Sequence, residues 1–363
     1  MSSKAKAAVL TETNGSLHVE EIDVRNPGAG EVLVRNIASG ICHSDETARA
    51  GIFPIQTPIV LGHEAAGIVE AVGEDVDEFR LGDKVIGLSA PSCGCCWNCM
   101  NALPVMCEDS PAGWGGSRAQ LAGESLSALW GLGTFAEFMT VRDRSIVKVE
   151  TDLPFEQLAL LGCGVTTGLG AVFNAGHVAP GQTVVVVGCG GVGQAIVQGA
   201  RIAGAARIIA VDPSRSKRDA ALRAGATDVV DPSAAEPVDA VLALTRARRG
   251  VDVAFEAVGR GSTILQAWKM TRGGGLTVPV GVGGSEVVGM TAQELLISGR
   301  RIQPSLNAEG FAKIEVPRFL RLAERGLLDL GSMVSKRITL NEIDAGFRNL
   351  SDSDVVRTVI AYG

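Results

Sequence analysis

From Thr183 onward the chain alternates short β-branched runs with helical patterns, and no other feature narrows its possible folds so far. TVVVVG, RIIAVD, TDVVD, VDVAFEA, GLTVPVG and RRIQPS are six strand candidates separated by crossover segments. That order predicts a doubly wound parallel sheet. The first crossover carries Val192, Ala195, Ile196, Gly199, Ile202 and Ala203 at helical spacing and stops at Gly204, so this face should lie on the sheet. The second, Ser214 to Ala224, opens on a capping serine and closes at Gly225. Between the first strand and its helix, VVVVGCGGVG places Gly188, Gly190, Gly191 and Gly193 as G-x-G-x-x-G. In that context the backbone can approach a pyrophosphate at the helix N-terminus. Nineteen residues past Gly193, Asp212 ends the second strand, where a carboxylate accepts hydrogen bonds from ribose hydroxyls. NAD is therefore expected over NADP, although Arg215 and Lys217 nearby soften the exclusion of a 2′-phosphate.

The region before residue 165 reads differently. Short strands such as EVLVRNIAS, AAGIVEAVG and DKVIGL are separated by Gly and Pro signals, as in a compact β-rich domain. With 363 residues the chain exceeds what one core usually serves. After about residue 306, one or two helices and a last strand, VRTVIAYG, are expected to return to the first domain. The predicted division is 1–165 with 307–363 as one discontinuous catalytic domain and 166–306 as the nucleotide domain. A net charge of −7 without a basic block argues against nucleic acid. The most apolar stretch, 183–210, is broken by glycines and by Gln194, Gln198, Arg201 and Arg207, so no membrane segment is expected. The N-terminus lacks a signal-like apolar region, which points to the cytoplasm.

In a chain read this way, eight cysteines suggest metal or redox chemistry before disulfides. Cys93, Cys96, Cys99 and Cys107 are spaced C-x2-C-x2-C-x7-C, which lets one loop wrap four thiolates around a structural zinc ion. Cys95 breaks the interval and is read as a non-ligand, with a register shift against Cys96 left open. GICHSD, LGHE and LGCG add Cys42, His63 and Cys163. Two sulfurs and one imidazole make a zinc site with a vacant position, the form used to polarise a substrate oxygen.

On these motifs the chain resembles the zinc-containing medium-chain dehydrogenase/reductase family, alcohol dehydrogenase type, along nearly its whole length. The resemblance implies a GroES-like catalytic domain beside a Rossmann domain, two zinc ions per chain and a nicotinamide cofactor. It implies that Cys42, His63 and Cys163 bind the catalytic zinc, and Cys93, Cys96, Cys99 and Cys107 the structural one. By residue-for-residue matching, Ser44 accepts the alcohol proton, Asp45 holds the ligand histidine and Glu64 assists ligand exchange. Thr47 stands where many relatives carry a proton-relaying histidine, which leaves the relay to water, Thr47, the cofactor ribose, Glu46 or His43. His43 and Arg357 match residues near the cofactor pyrophosphate, Lys217 one near the adenosine ribose, and Thr167 and Val192 further cofactor positions. Phe53, Ser89, Phe135 and Leu306, with Ser44, match the lining of the alcohol channel. Ser89 replaces a bulky aromatic found in several relatives, so a cyclic, aryl or terpenoid alcohol is expected to fit.

The function implied is reversible hydride transfer between a primary or secondary alcohol and NAD. Two alternatives are a zinc/nicotinamide reductase of a conjugated C=C or iminium, kept open by Thr47, and a catalytically inactive NAD-binding module. The long segment between Cys107 and Gly131 favours a homodimer, with RRIQPS as the candidate edge through which two nucleotide domains join sheets.

Overall fold

The computed structural model describes residues 2–109 and 119–363. Its backbone separates into two compact units. Unit 1 comprises residues 1–163, 310–324 and 330–363, and unit 2 comprises 164–309 and 325–329. The chain leaves unit 1 immediately after Cys163 and re-enters it at Gly310, and the short run Arg325–Asp329 belongs to unit 2, a detour with no sequence signal.

Unit 1 holds a closed barrel of Ser2–Leu10, Leu17–Arg25, Ala119–Leu121, Glu124–Ala128 and Ile59–Val60. Leu10, Ile22, Leu61, Leu126 and Phe135 are wholly buried inside it. The segment between Cys107 and Gly131, used above to favour a dimer, thus supplies two barrel strands; its residues 110–118 lie outside the described residues. A seven-stranded sheet completes the unit. There Glu31–Ile41 pairs with Glu64–Val72 on one side and with Arg357–Ala361 on the other. The pairing of Thr358 with Ile41 returns the C-terminal strand to the strand that ends at Cys42. That strand's parallel neighbour, Val334–Ile338, went unread in the sequence because its burial pattern is exposed in the middle.

Unit 2 is a six-stranded parallel sheet. In spatial order its strands are Asp228–Val230, Arg207–Val211, Thr183–Val187, Val251–Glu256, Thr271–Pro279 and Arg301–Ile302. The central strand explains its own composition. Val184 and Val186 pack into one apolar layer with Ile196, Ile208 and Phe255, while Val185 and Val187 pack into the opposite layer with Ile209, Ala254 and Met270. A strand covered on both faces needs an unbroken apolar run rather than an alternating one. Ser214 caps the helix Arg215–Ala224 by accepting from Lys217 N, and Gly225 ends it at φ +121°. Among the described residues no single helix is long and apolar enough to cross a membrane.

Candidate metal centre and nucleotide turn

Three separate segments of unit 1 bring Cys42, His63 and Cys163 together. Cys42 sits where the strand Glu31–Ile41 gives way to the helix His43–Arg49. His63 follows a glycine turn, Gly62 at φ +92°, where a Cβ would strike Thr134 and Phe135. Cys163 closes the tight turn after Leu160–Gly162, and Gly162 is needed because a side chain there would meet the Gly87 carbonyl. One ligand atom from each of Cys42, His63, Glu64 and Cys163 lies within 4.8 Å of the other three.

A single carboxylate ties two of these segments. Asp45 Oδ1 accepts from Gly62 N at 3.1 Å and faces His63 Nδ1 at 2.8 Å, and Asp45 Oδ2 accepts from Cys42 N at 3.0 Å. With Nδ1 donating to Asp45, the neutral imidazole presents a lone pair at Nε2. That atom is buried and has no hydrogen-bond partner among the described residues. A buried acceptor without a partner is expensive in a folded chain, and a cation at this point would satisfy it.

The electrostatics also fit a cation. The Cys163 thiol holds Cys42 well below its ordinary range, aided by the charges of Arg357 and His63 and opposed by burial. The Cys42 thiolate in turn, together with burial, pushes Cys163 well above its own range. Two buried sulfurs cannot both ionise unaided, whereas a divalent ion between them permits it. Beside them, burial pushes Glu64 up to about 7 against the pull of Arg357. Glu64 Oε1 accepts from Arg357 Nη2 at 2.9 Å, and Arg357 Nη1 donates to Ile41 O. Gly40 leaves the room that Glu64 occupies, since a Cβ there would stand 2.1 Å from Glu64 Oε2. Arg357 is thus a buried partner of Glu64, a contact the sequence did not reveal.

The other predicted residues are placed as follows. Ser44 is buried, with its Oγ 3.8 Å from Cys42 Sγ. Thr47 donates its hydroxyl to His43 O at 2.9 Å, a local helix bond that engages the proton a relay would have to pass on. His43 is exposed at the start of the same helix. Ser89 is buried and Phe53 half-buried, 6.1 Å from the ring of Trp130. Phe135 lies in the barrel core, edge-on to Phe347. The aromatic ring that rests on the ligand histidine is Trp130, 4.6 Å from His63 and edge-on. Trp130 was not singled out in the sequence. Its signal was an aromatic in the glycine-flanked turn LWGLG, where it adopts φ +49°.

The four-cysteine loop is compact. Cys93 and Cys99 sulfurs are 3.9 Å apart and those of Cys96 and Cys107 4.0 Å apart, close to the roughly 3.8 Å edge of a zinc–sulfur tetrahedron with ~2.3 Å bonds. Backbone N–H groups of Cys95 and Cys96 point at Cys93 Sγ and pull that thiol down to about 6. The four ligand atoms of Cys93, Cys96, Cys99 and Cys107 lie within 4.8 Å of one another, with Cys95 outside the set.

In unit 2 the glycines of the first turn have separable reasons. Gly188 takes φ +89°, and Gly193 packs so tightly that a Cβ would stand 1.9 Å from Gly188 O. Gly190 has an ordinary φ of −71° and, among the described residues, nothing within 4 Å of an added Cβ. Neither the backbone nor the protein's packing demands a glycine there, so the space above it suits a ligand approaching the helix N-terminus that opens at Gly191 and Val192. Asp212 is mostly buried, accepting from Cys189 N and Ser214 N at 2.8 Å each. Lys217 lies in the first turn of the following helix. Thr167 is hydrogen-bonded to Asn307, and Leu306 is exposed beside it in the chain.

Residues 28–151 match the model of the alcohol dehydrogenase GroES-like domain, and residues 191–325 that of the zinc-binding dehydrogenases. An S-(hydroxymethyl)glutathione dehydrogenase of Synechocystis sp. is 37% identical, covering 99% of this chain and all of that protein. The chain belongs to the zinc-containing medium-chain alcohol dehydrogenase family. Among solved structures, an alcohol dehydrogenase zinc-binding domain protein from Burkholderia ambifaria superposes with a TM-score of 0.94 at 30% identity, over the full length of both chains. Benzyl alcohol dehydrogenase from Acinetobacter calcoaceticus gives 0.92 at 30% identity, over 99% of this chain and all of the other. Fold and family therefore agree with the GroES-like and Rossmann reading, and the chain is an oxidoreductase.

Proposed function

We propose that the protein is a two-zinc, NAD-preferring alcohol dehydrogenase that oxidises bulky apolar or aryl primary and secondary alcohols and reduces the matching carbonyls. The observation that carries this reading is the unpartnered His63 Nε2 facing two thiols whose mutual opposition a cation relieves. Cys42, His63 and Cys163 would hold a zinc ion, whose Lewis acidity would lower the cost of removing the alcohol proton. Ser44 accepts that proton at Oγ. Asp45 fixes the imidazole tautomer, and Glu64, paired with Arg357, lies beside the ligand set as an alternative oxygen donor during exchange. Cys93, Cys96, Cys99 and Cys107 would hold a second zinc ion, which would serve the fold rather than the reaction.

The glycine turn at Gly188–Gly193 binds the dinucleotide pyrophosphate, with Thr167 and Val192 as further cofactor contacts and Lys217 near the ribose. NAD is preferred because a 2′-phosphate would approach the buried Asp212 carboxylate, while Arg215 is 90% exposed and its ion pair to Asp219 is loose at 3.9 Å. For the substrate, Phe53 and Trp130 provide aromatic walls and Ser89 leaves room. The run Ile52, Phe53, Pro54 and Ile55 offers no charge to a glutathione adduct, which carries two carboxylates and an ammonium group, so an uncharged aryl alcohol fits better. A cytoplasmic homodimer is the proposed form, joined at the edge strand Arg301–Ile302, both of whose residues are exposed.

The test is turnover of benzyl alcohol, ethanol and S-(hydroxymethyl)glutathione with NAD and NADP at matched zinc content. Highest kcat/KM for benzyl alcohol with NAD supports the reading, and preference for the glutathione adduct overturns its substrate part. The engaged Thr47 hydroxyl favours one second reading, a reductase of conjugated C=C or iminium bonds that needs no alcohol-proton relay. Turnover of enals without alcohol oxidation would establish it, and bound NAD without any turnover would mark an inactive module.

A further inference from the structure

Cys95 is the cysteine of the metal loop that the four-thiol set leaves out. It is exposed, whereas Cys93, Cys96 and Cys99 are partly covered and Cys107 is buried. Gly94, at φ +75° with nothing among the described residues within 4 Å of an added Cβ, turns the chain back on itself. As a result both the backbone N–H and the thiol of Cys95 point at Cys93 Sγ, at 3.5 and 3.7 Å. A thiol that stands in solvent and touches a ligand sulfur meets a dissolved reagent more readily than the partly covered ligands do.

We propose that Cys95 is a modification site for hydroperoxides, through which oxidation opens the four-thiol zinc site. In the first step the Cys95 sulfur attacks the peroxide oxygen, the O–O bond breaks, and Cys95 becomes a sulfenic acid while the hydroperoxide leaves as an alcohol, or as water from hydrogen peroxide. In the second, the Cys93 thiolate attacks the Cys95 sulfur. The S–S bond forms, the S–O bond breaks, and the departing hydroxide takes up a proton to give water. Two thiols have then lost two electrons to one peroxide. The sulfurs must close from 3.7 Å to about 2.05 Å, a movement that the glycine between them permits. Cys93 no longer offers a thiolate, the tetrahedral shell is left with three sulfurs, and zinc is lost from this loop while the Cys42, His63 and Cys163 site keeps its own.

The inference rests on the proposed zinc in this loop, which metal analysis of the untreated enzyme tests separately; a loop without zinc at the outset refutes both readings. The experiment adds hydrogen peroxide to the zinc-loaded full chain and follows zinc release with a chromogenic chelator, alongside peptide mapping of the disulfide. Expected are loss of one zinc per chain in a fast phase, a mapped Cys93–Cys95 bond, and recovery on adding thiol reductant and zinc. Cys95→Ser and Cys95→Ala should keep basal activity and zinc content while losing the fast phase. Release from both variants at the rate of the parent, no release from the parent, or a mapped disulfide that omits Cys95 overturns the proposal and leaves the alcohol dehydrogenase reading intact.

Discussion

Replacing Asp45 with asparagine separates the tie between the metal ligands from the ligands themselves. The carboxylate accepts from Cys42 N on one oxygen and faces Gly62 N and His63 Nδ1 with the other, all buried. An amide has only one oxygen. With that oxygen toward Gly62 and His63, its NH2 faces the Cys42 N–H, and one buried donor loses its acceptor. The reverse orientation orphans two. The better orientation leaves one unsatisfied buried group, worth about 1–3 kcal/mol of stability. It also removes the charge that keeps the His63 proton on Nδ1, and loss of such a partner lowers metal affinity about 10–100-fold. Competition with a chelator should find only the catalytic zinc weakened by that factor, with the four-cysteine zinc retained, and thermal unfolding of the variant should be shifted downward. Zinc affinity equal to that of the parent would refute the claim that Asp45 orients the ligand histidine.

Three further outcomes follow from the same geometry. Cys163→Ala should lower zinc content from about two ions per chain to about one and abolish turnover, as read by elemental analysis. Asp212→Gly should raise the NADP-to-NAD ratio of kcat/KM by about tenfold or more, with some loss of thermal stability because Cys189 N and Ser214 N lose their acceptor. Trp130→Ala removes the ring beside Phe53 and His63, and should reduce kcat/KM for benzyl alcohol relative to ethanol by about tenfold, or ~1.4 kcal/mol.

The sequence carried the features that are local in the chain. A run of valines covered on both faces, a glycine turn and four cysteines within fifteen residues each declare their geometry over a short span, and the six strand segments from Thr183 to Ile302 appear in the sheet. What it could not carry are contacts made across long separations. The bond from Arg357 to Glu64 joins residues 293 apart, and the strand that sets it up is recognisable as a strand without its partner being named. Trp130 illustrates a different limit. Its place on His63 depends on a left-handed backbone conformation that aromatic residues rarely adopt, so no propensity argument would have proposed it. Phe135 matched a channel position by resemblance, and its packing edge-on to Phe347 in the barrel core had no signal in the sequence.

Anomalous diffraction at the zinc edge from crystals of the untreated protein is the most direct test of the central idea. Two peaks per chain are expected, one enclosed by the sulfurs of Cys93, Cys96, Cys99 and Cys107, the other bonded to Cys42 Sγ, His63 Nε2 and Cys163 Sγ with one position left for solvent. A chain whose only peak lies in the four-cysteine loop, or whose second ion avoids His63, would contradict it.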